Sequence, residues 1–304
     1  MTPEEASKSS ISYARALNAL EGLSVGDAFG ESFFTDPDVV EEMLKTRTPP
    51  PPIWRYTDDT ELSLCIMTVL RDYGVIEQDV LTARFVQRYE YARGYGPSMY
   101  RLLASIREGV AWQEAAPAQF GGQGSYGNGA AMRAAPIGAY FAEDLENVVE
   151  QSILASVVTH AHPEAIAGAI AVALAAALAS RGNGEIIQET GADFLNAVAG
   201  YVPDSQVKAR LIRASGMMEA SVEFAASVLG NGLQLSAQDT VPFALWCASQ
   251  NLFHYEEALW MAIQGLGDRD TICAIVGGIV VLSAGIASIP AAWQAAREPL
   301  PSWL

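Results

Sequence analysis

Two short acidic clusters, far apart along the chain, hold the side chains best suited to chemistry. The first is Trp54-Arg55-Tyr56-Thr57-Asp58-Asp59-Thr60, between a proline run and an apolar stretch. The second is Gly267-Asp268-Arg269-Asp270-Thr271, more than two hundred residues later and again ahead of an apolar run. Carboxylates, threonine hydroxyls and backbone carbonyls are the oxygen donors that a hard cation such as Mg2+ takes. Four converging carboxylates repel one another unless they are paired or metallated. The expectation is therefore that the two clusters meet and hold divalent metal. Taken singly, each reads more simply as a helix cap, because Asp and Thr are favoured N-cap residues. A helix N-terminus attracts anions through about half a positive charge, which two carboxylates outweigh.

Three further motifs carry polar groups in suggestive patterns. Gly26-Asp27-Ala28-Phe29-Gly30-Glu31 sets two glycines around an Asp and reads as a turn where backbone approaches something closely. Asp27 is there either an Asx-turn residue or an acid behind the ligands. Glu31 is either a solvated loop charge or a catalytic carboxylate facing the metals. From Gly121 to Gly129 there are five glycines in nine residues. Such a loop either exposes successive N–H groups to phosphate oxygens or is simply flexible. No Gly-Lys-Ser/Thr follows it and no strand precedes it, so it is neither a Walker A loop nor a Rossmann fingerprint. Thr159-His160-Ala161-His162-Pro163 breaks a helical run. The chain has only three histidines, too few for an expected zinc site, so His160 reads as a hydrogen-bond donor to substrate or a loop-closing residue.

The elements that must position these groups read as helices. Half of the 304 residues are apolar, Ala is abundant and alternating strand-like runs are hard to find. The 3.6-residue periodicity predicts an all-α fold. No composition break divides the chain, so one domain over 1–304 is expected, with its core at about 12–290. Helices are predicted over 12–25, 38–44, 79–93, 100–112, 145–158, 164–179 and 255–264, with two or three more between 181 and 230 and another starting near Asp239. One from Asp59 or Thr60 to Tyr73 ends at Gly74, and polyproline at Pro49 to Pro52 delivers Thr57 to its start. Asp270 and Thr271 open a central apolar helix, and residues 287–304 are expected to drape over the surface.

The formal charge of −17, from 18 basic against 35 acidic residues, argues against a nucleic-acid partner. Cys65, Cys247 and Cys273 lack metal-ligand spacing and read as buried reduced thiols of an intracellular, cytoplasmic protein. The acidic N-terminus shows no signal peptide. Thr271 to Pro290 is uncharged and long enough for a membrane span, but its Gly, Ala and Ser content suits a helix buried in protein, and no membrane partner is expected.

Together these residues resemble the ADP-ribosylglycohydrolase family. The resemblance rests on Gly26-Asp27 with Gly30, Thr57-Asp58-Asp59-Thr60, the run from Gly124 to Arg133, Thr159-His160 and Gly267 to Thr271, in order from about Leu17 to about Gly285. It implies a compact orthogonal helical domain with two Mg2+ (or Mn2+) ions in a cleft. It implies hydrolysis at C1″ of ADP-ribose attached to a Ser or Arg side chain or a small molecule. The sequence does not fix the oligomeric state, and a monomer is the favoured expectation. The metal ligands it implies are Thr57, Asp58, Asp59, Asp268, Asp270 and Thr271. Gly124, Ser125, Tyr126, Gly127, Asn128 and His160 would contact the substrate.

Two positions depart from the family pattern. Arg269 stands where Thr is common. Phe34 stands where the serine-specific branch carries a catalytic Glu. Either Glu31 takes that role or Asp58 or Asp59 activates water as well as binding metal. A catalytically weak or inactive ADP-ribose-binding protein is the alternative that Phe34 supports, and a two-metal phosphohydrolase is a second.

Overall fold

The computed structural model describes residues 3–181 and 190–303. Among these there are sixteen α-helices and no strand, only two isolated β-bridges. The first half comprises α1 (Pro3–Glu31), α2 (Pro37–Thr46), α3 (Asp58–Tyr73), α4 (Gln78–Arg88), α5 (Pro97–Arg107), α6 (Trp112–Gly122), α7 (Ala135–Tyr140) and α8 (Leu145–Val157). The second half comprises α9 (Pro163–Ser180), α10 (Gly191–Tyr201), α11 (Gln206–Ser215), α12 (Val222–Leu229), α13 (Ala237–Gln250), α14 (Tyr255–Ile263), α15 (Arg269–Ala284) and α16 (Ala291–Ala296).

The organising contact is between α1 and α15, which run antiparallel with their backbones touching. A Cβ on Gly22 would lie 2.4 Å from the Gly277 carbonyl oxygen, one on Gly26 2.2 Å from that of Cys273, and one on Gly30 2.3 Å from that of Arg269. Glycines four apart share a helix face, so this stripe lets two helices approach closer than any side chain permits. The turn expected at Gly26 to Gly30 is therefore absent: α1 continues through it to Glu31. These glycines serve close packing, and their place inside the helix carries Asp27 and Glu31 up to the start of α15.

Several other expectations held in outline. α3 ends at Gly74, whose φ of 74° lies in the left-handed region and whose N–H bonds back to Leu70. The helix expected over 79–93 stops at Arg88, and a separate 3-10 turn covers Tyr91–Arg93. The one expected over 100–112 is α5, which ends at Arg107, and Trp112 opens α6 instead. Three helices lie between 190 and 230.

The uncharged run from Thr271 to Pro290 is not one span, because α15 ends at Ala284 before Gly285. Among the described residues, the helix long and apolar enough to cross a membrane is α9, and 78% of it is buried inside the protein.

The tail does more than drape. Trp293 of α16 is buried and stacks on Phe29 at 4.3 Å between ring centroids. Trp54 N–H donates to the Ala296 carbonyl at 2.7 Å, Glu298 N–H donates to the Trp54 carbonyl at 2.9 Å, and Tyr56 N–H donates to the Glu298 carboxylate at 3.0 Å. The chain's last turns thus splint the segment that leads into Thr57.

Gly26→Ala forces backbone apart in this packing and is expected to cost about 3 kcal/mol in chemical denaturation. Gly200→Ala, where an added Cβ meets nothing within 4 Å, is the control and should be neutral or slightly stabilising.

Candidate active site

Asp27 fixes the first cluster. Fully buried on α1, its carboxylate accepts from Thr57 N–H at 2.9 Å, Thr57 Oγ1 at 2.8 Å, Thr60 N–H at 3.1 Å and Thr60 Oγ1 at 2.5 Å. It is neither an Asx-turn residue nor exposed. It satisfies two orphan donors at the start of α3 from another helix, and so sets where Asp58 and Asp59 stand. Thr57 Oγ1 also lies 3.1 Å from Asp59 Oδ2, so a single hydroxyl proton serves two carboxylates.

The second cluster meets the first. Thr271 Oγ1 is 3.5 Å from Asp59 Oδ2, joining residues 212 positions apart. Asn128 from the glycine loop donates to Asp268 Oδ2 at 2.6 Å and to Thr240 Oγ1 at 3.0 Å. Gly30 backbone lies against Asp270, which brings half-buried Glu31 beside that carboxylate.

Burial is the first cause pushing the carboxyls of Asp58, Asp59, Asp268 and Asp270 above the usual range. Neighbouring Asp270 and Asp27 add to it for Asp58 and Asp59. Asp27 and Glu31 are each raised to about 7, first by burial. Among the described residues no salt bridge reaches this group, and the charge of Arg269 only partly offsets the rise at Asp270.

The donor set fits a hard divalent cation. Asp59 Oδ1 and Asp270 Oδ1 are buried without a hydrogen-bond partner, a costly state for carboxylate oxygens unless something positive meets them. Among the described residues no three His, Cys, Asp or Glu side chains already form a cage. Asp268 and Asp270 share a side-chain hydrogen bond, and a counter-charge is what would let both ionise.

A cavity of about 380 Å³ opens from this cluster. Asp58, Asp59, Asp268, Asp270 and Thr271 line one end of it, while Thr57 sits behind them and Glu31 lies off its wall. Its middle is the Ser125–Gly129 loop with His160. Gly124 takes a φ of 76° with its backbone tight against Ala161 and His162, so it shapes the loop from behind. Ser125 Oγ accepts from Gly127 N–H at 3.2 Å. Both N–H bonds of the Asn128 amide are committed, which makes this residue a tie between the loop and Asp268.

His160 is buried and its imidazolium is disfavoured: burial first, then Arg133, lowers the ring pKa to about 3. Arg133 donates to Thr159 Oγ1 at 2.7 Å, and that hydroxyl lies 2.8 Å from His160 Nδ1. If the hydroxyl that accepts from Arg133 donates to Nδ1, the ring proton is on Nε2.

Phe120 and Tyr126 are also on the wall, with ring centroids 5.6 Å apart. Phe120 is half-exposed with a left-handed φ of 51°. The sequence reading missed it. Its only signal was its place directly before Gly121-Gly122, which frees the chain to turn.

Residues 8–304 match the family model for ADP-ribosylglycohydrolase. The chain belongs to that family. Its members are glycosidase-type hydrolases, ADP-ribosylhydrolases by name. The chain is 28% identical to ADP-ribosylhydrolase ARH3 of Danio rerio, over 94% of this chain and 86% of that one. It is 29% identical to the Homo sapiens ARH3, over 94% and 90%. It is 25% identical to ADP-ribosylarginine hydrolase Tri1 of Pseudomonas putida, over 96% and 75%. A solved structure titled ADP-ribosylglycohydrolase-related protein complex superposes with a TM-score of 0.65 at 23% identity, covering 95% and 94% of the two chains. That likeness speaks for the all-α fold.

Carboxyls raised in the folded state stabilise it at low pH, and that stability is lost as pH rises through the folded value. Without divalent cations, the melting temperature of this family member should fall between about pH 4 and pH 8, the window running from ordinary Asp values through the raised value of about 7. Added Mg2+ should restore it, most strongly at the upper end. A melting curve that rises with pH and ignores Mg2+ would count against the buried acidic cluster as a cation site.

Proposed function

We propose that the protein is a Mg2+-dependent ADP-ribosylhydrolase that cleaves the C1″ glycosidic bond between ADP-ribose and a side chain or small molecule. The observation that carries this is the pair of buried, partnerless oxygens, Asp59 Oδ1 and Asp270 Oδ1, in a cavity that the Ser125–Gly129 loop and the rings of Phe120 and Tyr126 also line. A diphosphate-linked molecule with a sugar at one end and a base at the other matches that lining.

Asp58, Asp59, Asp268, Asp270, Thr57 and Thr271 are the residues that would hold two Mg2+ (or Mn2+) ions. Such ions, when bound, orient ribose hydroxyls and stabilise developing negative charge. The remaining work belongs to the chain. Backbone N–H groups of the Ser125–Gly129 loop offer donors to the diphosphate, offsetting the field of a protein with a net charge of −17. Neutral His160 donates from Nε2 without adding charge. Phe120 and Tyr126 offer aromatic faces for the adenine, worth about 1–3 kcal/mol per stacked base.

Hydrolysis adds a water oxygen to C1″, breaks the bond from C1″ to the acceptor, and passes through an oxocarbenium-like state. The water loses one proton to a carboxylate, and the departing acceptor gains one. Glu31 is our choice of base. Its raised pKa matches general-base work near neutrality, and it stands beside Asp270. Phe34 does not deprive the site of a carboxylate, because α1 runs on far enough to supply Glu31.

In Mg2+, the protein should release free ADP-ribose from an ADP-ribosylated peptide, followed by chromatography. AMP as the product would instead mark a phosphohydrolase, and binding without release an inactive relative. Asp270→Asn should lower kcat/KM by about a thousandfold or more and weaken Mg2+ binding in calorimetry. Glu31→Gln should lower kcat by about 10²–10⁴-fold with little change in KM. The wild-type rate should rise with pH as Glu31 loses its proton, with a midpoint at or below 7 because bound cations lower its pKa. That limb should vanish in Glu31→Gln.

A further inference from the structure

Arg269 and Phe34, the two departures from the family pattern, touch each other. The Arg269 guanidinium lies 4.6 Å from the centre of the Phe34 ring, and its Nη1 donates to the Phe33 carbonyl at 2.5 Å. Phe34 is half-exposed and Arg269 half-buried. Its backbone is pinned as well, since Gly30 packs directly on the Arg269 carbonyl. A long side chain is thus held in one place by a ring, a carbonyl and a helix crossing. The result is a fixed positive charge on the rim formed by the end of α1 and the start of α15.

The position of that rim gives the charge its meaning. Asn128 ties the glycine loop to Asp268, so the diphosphate side of the acidic cluster is the Asp268 side. Asp270 lines the cavity on the remaining side, and Glu31, Phe34 and Arg269 stand next to it, just off the wall, where Gly30 packs on the Arg269–Asp270 backbone. A ribose held between the acids with its diphosphate on the loop therefore sends its C1″ substituent toward Phe34 and Arg269.

We infer that Arg269, held by Phe34, is a specificity-determining residue that disfavours guanidinium acceptors and favours uncharged or anionic ones. This rests on the glycohydrolase reading of the site. An arginine acceptor keeps a positive charge on its guanidinium, and a fixed guanidinium repels it at close range. A serine ether or an acyl ester carries no such charge. The exposed ring of Phe34 adds an apolar surface that a short, neutral acceptor tolerates. Asp268 and Asp270 flank Arg269 in sequence but line the cavity, where they face the cation site. Glu31 is a further ionisable side chain beside Asp270.

The test compares serine-linked, acetyl-linked and arginine-linked ADP-ribose in Mg2+, with kcat and KM measured separately. The wild type should prefer the serine or acetyl linkage over arginine by at least about tenfold in kcat/KM. Arg269→Gln, which keeps length and removes charge, should narrow that ratio by about tenfold, chiefly by lowering KM for the arginine-linked substrate. Arg269→Lys, which keeps the charge, should hold the ratio within about threefold of wild type. Phe34→Leu, which removes the ring under the guanidinium, should fall between the two. Cleavage of some linkage with a ratio unmoved by Arg269→Gln would overturn this inference and leave the hydrolase reading standing. A wild type that prefers arginine would also overturn it. Failure of the wild type on all three linkages would sink the hydrolase reading, and this inference with it.

Discussion

Two helices lie so close that their backbones touch, and the rest of the molecule follows from that contact. Gly22, Gly26 and Gly30 of α1 have no side chain to hold Gly277, Cys273 and Arg269 of α15 at a distance. Most helix pairs sit 8–10 Å apart with side chains interleaved. Here the backbones meet at the glycines, and polar residues one step along α1 reach what α15 begins with. Asp27 crosses to cap α3, and Glu31 comes up beside Asp270. Three separate stretches of chain therefore deliver their acids to one place, each located by the same crossing.

That arrangement trades stability for capability. Six carboxyl groups within one region, four of them with pKa values driven up chiefly by burial and two at about 7, oppose folding whenever they are charged. Only Asp27 is well compensated, by four donated hydrogen bonds. The surrounding scaffold offsets the cost with a rigid interior: α3 is buried along most of its length, and α9 on nearly every face. Rigid elements behind a strained site are what hold reactive groups in place against their own repulsion. The middle of the cavity shows the opposite choice. His160 is kept neutral by burial and by Arg133, so this part of the cavity carries a polar group without a buried charge.

Much of this was legible before any coordinates. Asp and Thr doublets ahead of apolar runs marked both clusters, because helix starts collect the same residues that bind hard cations. Gly74 announced the end of α3. The glycines of α1 were misread for a physical reason: Gly permits a turn and also permits contact, and single-chain periodicity does not tell which use applies. The break after Arg88 and the extra helix from Trp112 were hidden because loop and helix share similar residues there. Phe120 was invisible as a site residue, since its role comes from a left-handed backbone that its own side chain disfavours. Trp293 was assigned to a loose tail because its partner, Phe29, is more than 260 positions away. Of the residues expected at the site, Thr57, Gly124 and Glu31 stand just outside the cavity wall, a distinction that depends on which way a helix faces.

The splint formed by the chain's last turns bears on when the protein becomes itself. The segment entering Thr57 is bonded on one side to Ala296 and Glu298, and Arg93 reaches the same Glu298. On a ribosome, the early helices emerge long before these partners exist. A nascent chain carrying both acidic clusters still lacks the bonds from Ala296 and Glu298 that fasten the entry to the first of them.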